Sequence, residues 1–146
     1  MTDWAKKLYF EDVEVGSEAP SVSMPITLQR LVMEAGANRD FAPIHHNREI
    51  ARATGAQDAY MNTLFIMALF ERTLREWIGI YGTIRKIGPF RMVLFNCVGD
   101  VVTFKAKVRD KSHSDGANEV KLDVWAETEQ GRTVTGEAIV ALPSRS

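Results

Sequence analysis

The stretch Asn62-Thr63-Leu64-Phe65-Ile66-Met67-Ala68-Leu69-Phe70-Glu71-Arg72-Thr73-Leu74-Arg75-Glu76-Trp77-Ile78-Gly79 contains most of the chain's most apolar window, residues 60–70. Asn62 or Thr63 suits the opening of a helix, and Gly79 and Gly82 suit its end. Leu64, Met67, Ala68, Leu74 and Ile78 fall at helical spacing and form one apolar stripe. Phe65, Ile66, Leu69 and Phe70 extend the apolar surface nearly all round the helix as far as Glu71. A helix of that kind is normally buried in the middle of a fold.

Downstream of this helix the chain takes on the period of a sheet. Val102, Phe104, Ala106 and Val108 alternate with Thr103, Lys105, Lys107 and Arg109. The same alternation runs through Val120, Leu122, Val124 and Ala126, and again through Val134, Gly136, Ala138 and Val140. Asp115-Gly116 and Gln130-Gly131 punctuate these runs, so the spacing predicts a three-stranded antiparallel meander. A further strand is expected within residues 84–95, with Gly99-Asp100 as the turn into the next one. The architecture expected is α+β: a curved antiparallel sheet with the apolar helix against its concave face.

Upstream of the helix, residues 8–16 read as a short strand or an extended lead-in ending on Gly16. Pro20 and Pro25 keep the next stretch extended. Thr27 caps a helix over about residues 28–37, and Asn47 caps a second over Arg48–Ala53, with Gly55 placed to end it.

Between these two helices stands Asp40-Phe41-Ala42-Pro43-Ile44-His45-His46-Asn47, which carries two of the chain's three histidines. An acid and an imidazole presented on one Pro-containing turn suit acid/base chemistry, because His changes protonation near neutral pH. Each residue also has a plainer reading. Asp40 alone could be a solvated or capping aspartate, and His45 alone a satisfied interior histidine. Neither residue alone favours catalysis; their joint spacing does, together with a family resemblance. His46 reads as structural or as a pocket wall, and His113 as a loop residue. Adjacent histidines without a further Cys or His cluster do not make a zinc site, so no metal is expected.

This turn resembles the signature of the MaoC-like enoyl-CoA hydratases, approximately S-G-D-x-N-P-[IV]-H-x-D, here Asn38-Arg39-Asp40-Phe41-Ala42-Pro43-Ile44-His45-His46-Asn47. The lead-in Tyr9-Phe10-Glu11-Asp12-Val13-Glu14-Val15-Gly16 and the late Gly99-Asp100 are similar to the same family. A closer likeness is to the small subunits of actinobacterial steroid side-chain enoyl-CoA hydratases, through Arg39-Asp40-Phe41 with His45-His46 and through Tyr60-Met61-Asn62. Ala42 stands where the family has Asn, Asn47 where it has Asp, and Asn62-Thr63 where it commonly has His-Gly.

The resemblance implies a hot-dog fold, in which the sheet wraps the central helix, and a hydro-lyase reaction. Asp40 and His45 would activate water for addition to a 2-enoyl-CoA thioester, with a bulky or steroid side-chain acyl group as the candidate substrate. Backbone N–H groups near Asn62-Thr63 would hold the thioester oxygen, with Tyr60 at the pocket mouth. Arg85, Lys86 and Arg91 are candidates for the phosphates of coenzyme A, against the plainer reading of solvated strand cations. No cofactor is implied beyond the coenzyme A on the substrate. A homodimer, or a heteromer with a second hot-dog chain, is the expected assembly. Two other readings stay open: a hot-dog acyl-CoA thioesterase, and a non-catalytic acyl-binding subunit of a heteromeric hydratase.

The bulk properties bound these readings. At 146 residues, 1–146 is expected to form one domain with a core of its own. A formal charge of -1 gives no basic surface excess, so nucleic acid is not an expected partner. Residues 1–7 lack an apolar run, so no signal peptide is expected. The 60–70 window is too short to span a bilayer, so no membrane partner is expected either. The single cysteine, Cys97, excludes an internal disulfide framework and fits a cytoplasmic protein. Cys97 itself reads as a small buried residue. Met61, Phe65, Met67 and Phe70 read as helix core before acyl tunnel.

Overall fold

The computed structural model describes residues 3–145. Five antiparallel strands form one sheet: β1 (Val22–Pro25), β2 (Thr83–Met92), β3 (Val101–Ser114), β4 (Ala117–Thr128) and β5 (Gly131–Ala141). Their spatial order is β1-β3-β4-β5-β2. The last three strands are the expected meander. Asp115 and Gly116 both have positive φ, 48° and 73°, which a two-residue hairpin turn of the right twist requires. The two edges come from earlier in the chain: β1 pairs with β3, and β2 pairs with β5.

Three helices complete the fold: α1 (Leu28–Asn38), α2 (Arg48–Ala53) and α3 (Thr63–Ile78). Each has a side-chain N-cap. Thr27 accepts from the Arg30 N–H, Asn47 from Ile50 and Asn62 from Phe65. These bonds satisfy donors that a helix start leaves unpaired. Gly79 ends α3 with a φ of 65°, a conformation open to glycine at little cost.

The sheet curls around α3. Phe65, Ile66, Leu69, Phe70, Thr73, Leu74 and Ile78 are buried on the helix. They meet the inward residues of the meander, among them Val102, Phe104, Val108, Leu122, Val124, Val134 and Val140. Phe70 is at the centre, edge-on to Phe104 at 5.0 Å and stacked on Phe90 at 4.9 Å. Burying each such side chain contributes about 1.5–3 kcal/mol relative to leaving it in water. The outward face of the sheet is polar. There Glu137 bonds both Lys86 and Arg109, and these hydrogen bonds hold its carboxyl below the usual carboxylate range.

Two expectations need correction. The helix is not buried all round: of the expected stripe, Leu64 is 50% exposed, Ala68 is exposed and Met67 is half-buried. The sheet covers one arc of α3, and these three residues fall on the other. Nor is there a strand in residues 8–16. Phe10–Asp12 form a single 3-10 turn, closed by Asp12 Oδ2 accepting from the Tyr9 N–H. The strand comes later, at β1.

Candidate active site

Helix α1 stops because Arg39 adopts the left-handed conformation (φ 60°). The next N–H, of Asp40, donates to the Ala35 carbonyl at 2.9 Å and to Asn38 Oδ1 at 3.1 Å. The chain then makes a 3-10 turn over Pro43–His45, with Pro43 at its first position, where no N–H is needed. His45 is 6% exposed on this turn.

The turn brings the two candidate catalytic side chains together. His45 Nε2 lies 3.2 Å from Asp40 Oδ2. The other ring nitrogen, Nδ1, lies 2.7 Å from the Tyr60 carbonyl. A carbonyl only accepts, so Nδ1 carries a proton. The Tyr60 ring stands edge-on to the imidazole at 5.5 Å and packs against Phe95 at 4.5 Å.

A cavity of about 330 Å³ opens beside this pair. Asp40, Ile44 and His45 form one wall, Tyr60, Met61, Asn62, Thr63 and Ile66 a second, and residues 92–96 a third. Its lining is mainly apolar with a few polar groups, the usual composition of a small-molecule site. The side chain of Asn62 is committed to structure. Its Oδ1 caps α3, and its Nδ2 donates to Asn38 Oδ1 at 3.2 Å. The first intrahelical bond of α3 is made by the Ile66 N–H. With Phe65 capped by Asn62, the N–H groups of Thr63 and Leu64 have no intrahelical acceptor, and Thr63 lines the cavity.

Asp40, His45, Tyr60, Asn62 and Thr63 thus share one cavity. Arg85, Lys86 and Arg91 do not line it. Lys86 pairs with Glu137 at 2.7 Å and Arg85 approaches Glu119 at 3.9 Å. Arg91 borders a separate shallow depression with Pro89, Phe90 and Arg109. Met61 lines the cavity, whereas Phe65 and Phe70 belong to the core. His46 Nε2 is 3.4 Å from the Phe41 carbonyl, and His113, expected in a loop, is instead in β3 opposite Asn118 and packs on Phe10. Among the described residues no group of three or more His, Cys, Asp or Glu side chains is arranged to hold a metal ion.

Several site residues were not singled out from sequence, Asn38 and Asn96 among them. Asn38 accepts from both Asp40 and Asn62 and so joins the turn to the start of α3. Its place in the family signature was the only signal. Asn96 lines the cavity from the loop after β2, where no periodicity marks it.

No protein-family model matches the chain. Over 127 residues it is 31% identical to the beta subunit of 3-oxo-4,17-pregnadiene-20-carboxyl-CoA hydratase from Mycobacterium tuberculosis, spanning 87% of this chain and 91% of that one. The chain belongs to the MaoC-like hydratase family. A chain of the ChsH1-ChsH2 complex from Mycobacterium tuberculosis superposes on this MaoC-like chain with a TM-score of 0.78 at 29% identity. That match covers 88% of this chain and 98% of the other. The (R)-hydratase from A. caviae matches with a TM-score of 0.79 at 26% identity, covering 91% and 99% of the two chains. The hot-dog fold expected from the helix and meander is the fold of these relatives.

Proposed function

We propose that this chain is a hydro-lyase that adds water to a 2-enoyl-CoA thioester bearing a bulky or steroid side-chain acyl group, with Asp40 and His45 as its acid/base pair. One observation carries the assignment of roles: the 3.2 Å approach of His45 Nε2 to Asp40 Oδ2 at the wall of a largely apolar cavity, next to free N–H groups of α3. The acyl class rests on the relative's being a steroid-type CoA hydratase subunit.

In this reading a water molecule hydrogen-bonds to the pair. Its oxygen bonds to C3 as a proton passes from it to the pair. The electron pair of the C2=C3 bond moves towards the thioester oxygen, which the N–H groups of Thr63 and Leu64 stabilise. A proton from the pair then goes to C2, so the sum is addition of H and OH. General acid–base help of this kind contributes about 10²–10⁴-fold. Coenzyme A arrives with the substrate, and no resident cofactor takes part.

The partner is a second hot-dog chain, identical or not. Met92, Val93, Leu94 and Phe95 form a cavity wall and are at the same time exposed, as is Leu64 on α3. A partner seated there would cover that apolar surface and enlarge the acyl space. The relatives named as a beta subunit and as a two-component complex support this assembly. Residues 1–146 serve as one domain in this reading, and its setting is the cytoplasm. Among the described residues no helix is long and apolar enough to cross a membrane.

The test follows the conjugated enoyl absorbance of short-chain and steroid side-chain enoyl-CoA thioesters. Turnover by the wild type, lost in folded His45→Ala and Asp40→Asn, is expected. Turnover retained in either variant overturns the assignment.

A further inference from the structure

An unbroken line of hydrogen bonds runs from the C-terminal half of α1 to the first turn of α3. Asn38 Nδ2 donates to Glu34 Oε1 at 3.0 Å. Asn62 Nδ2 donates to Asn38 Oδ1 at 3.2 Å. The Phe65 N–H donates to Asn62 Oδ1 at 2.8 Å. A branch reaches the turn that carries Asp40 and His45, since the Asp40 N–H also donates to Asn38 Oδ1, at 3.1 Å. Asn62 is buried, and Glu34 and Asn38 are half-buried. Neither Glu34 nor Asn38 lines the cavity.

The line has one direction. The Phe65 N–H can only donate, so Asn62 must turn Oδ1 towards it and Nδ2 towards Asn38. An ionised carboxylate can only accept, so Asn38 must turn Nδ2 towards Glu34 and Oδ1 towards Asn62 and Asp40. Both ends demand the same orientation of the two amides. Reversing the Asn38 amide would set its Nδ2 against two donors and its Oδ1 against the carboxylate, leaving polar groups unpaired on both sides.

We propose that Glu34 is a positioning residue of the active site: acting through Asn38, its carboxylate fixes the turn with Asp40 and His45 relative to the start of α3. This rests on the hydratase reading. In that reaction the Asp40–His45 pair directs water at C3 while the start of α3 holds the thioester oxygen. The separation of the two elements therefore sets how well the site fits the transition state. A displacement of about 1 Å between such groups costs up to about 10²-fold in rate.

The experiment compares the full-length chain with Glu34→Gln, Glu34→Leu, Asn38→Asp and the double variant Glu34→Gln/Asn38→Asp. kcat and KM are measured on the thioester of the enoyl-CoA series that the wild type hydrates fastest, well below every melting temperature. Glu34→Gln keeps an acceptor and should stay close to the wild type. Glu34→Leu removes it and should lower kcat about tenfold or more, with little change in KM. Asn38→Asp keeps the acceptor for Asp40 and Asn62 but sets a second oxygen against Glu34, so it should fall short of the wild type. The double variant gives that oxygen a donor and should be faster than Asn38→Asp alone, a coupling that two independent sites would not show. Wild-type kcat in Glu34→Leu overturns the proposal, as does a double variant no faster than Asn38→Asp. Nuclear magnetic resonance of the Asp40 N–H and the Asn62 side-chain amide gives a reading that needs no turnover. Both signals should shift in Glu34→Leu and hold in Glu34→Gln. If the wild type hydrates no thioester of the series, the hydratase reading fails, and Glu34 is judged by these signals alone: the expected shifts support its hold on the turn and α3, and unshifted signals overturn it.

Discussion

The carbonyl oxygen of Tyr60 lies 2.7 Å from Nδ1 of His45. The residue that fixes the imidazole does so with its main chain. This separates two roles of Tyr60 that a single alanine substitution would confuse. Tyr60→Phe keeps the carbonyl, the edge contact with His45 and the packing on Phe95. It should leave kcat at the wild-type level. Tyr60→Ala removes both ring contacts. It should lower kcat and the melting temperature together. Steady-state rates and thermal scans of the two variants decide the matter.

Asn38 should be as sensitive as a residue that touches substrate, although it lies outside the cavity lining. Its Oδ1 accepts from the Asp40 N–H and from Asn62 Nδ2. Asn38→Ala strands Asn62 Nδ2, at a cost of about 1–3 kcal/mol, and leaves the Asp40 N–H with the Ala35 carbonyl alone. The melting temperature should fall by several degrees. Activity should fall further than the change in folded fraction explains, because the turn and the start of α3 lose their common anchor. Asn38→Asp keeps the acceptor and should restore most of both.

Gly136 is a packing position of the sheet. A Cβ added there would stand 2.9 Å from the Pro89 carbonyl oxygen and would meet the Phe90 ring. Phe90 stacks on Phe70, which is fully buried, so the ring has little room to withdraw. Gly136→Ala should destabilise the protein by about 1–3 kcal/mol, the usual range for overpacking, read from chemical denaturation. Pairing it with Phe90→Leu should recover part of the loss.

Cys97 should not react in the native protein. It is buried, and burial pushes its thiol pKa up, so the protonated form persists to higher pH than in a free thiol. A chromogenic disulfide reagent at mildly alkaline pH should label it only after denaturant is added. Fast labelling of the folded chain would show that the loop after β2 opens readily.

The meander and the helix were legible because each is a local pattern. Alternation at Val102–Val108 or Val120–Ala126 marks a strand with one wet face, and Asp115-Gly116 is its own turn signal. What periodicity does not supply is direction. It groups Leu64 with Met67 and Ala68 but does not say which side of α3 the sheet covers. Phe70 decides that, by fitting between Phe90 and Phe104. The turn with Asp40 and His45 was visible as a motif. Asn96 was not, since no local pattern marks the loop after β2, and only the surrounding structure shows its side chain buried without a partner among the described residues. Likewise Arg85 and Lys86 looked available in the sequence because Glu119 and Glu137, which they meet, lie far along the chain.

The third wall of the cavity, residues 92–96, has a consequence for how the protein is made. Its strand, β2, has β5 as its neighbour in the sheet. Met92 is in register with Val134, and the Val93 N–H donates to the Thr133 carbonyl. A chain emerging from the ribosome therefore has Asp40, His45 and α3 before β5 exists to hold the strand side of that wall. The binding space closes only once β5 has been delivered, so ligand competence arrives after the turn and the helix that carry the chemistry are already made.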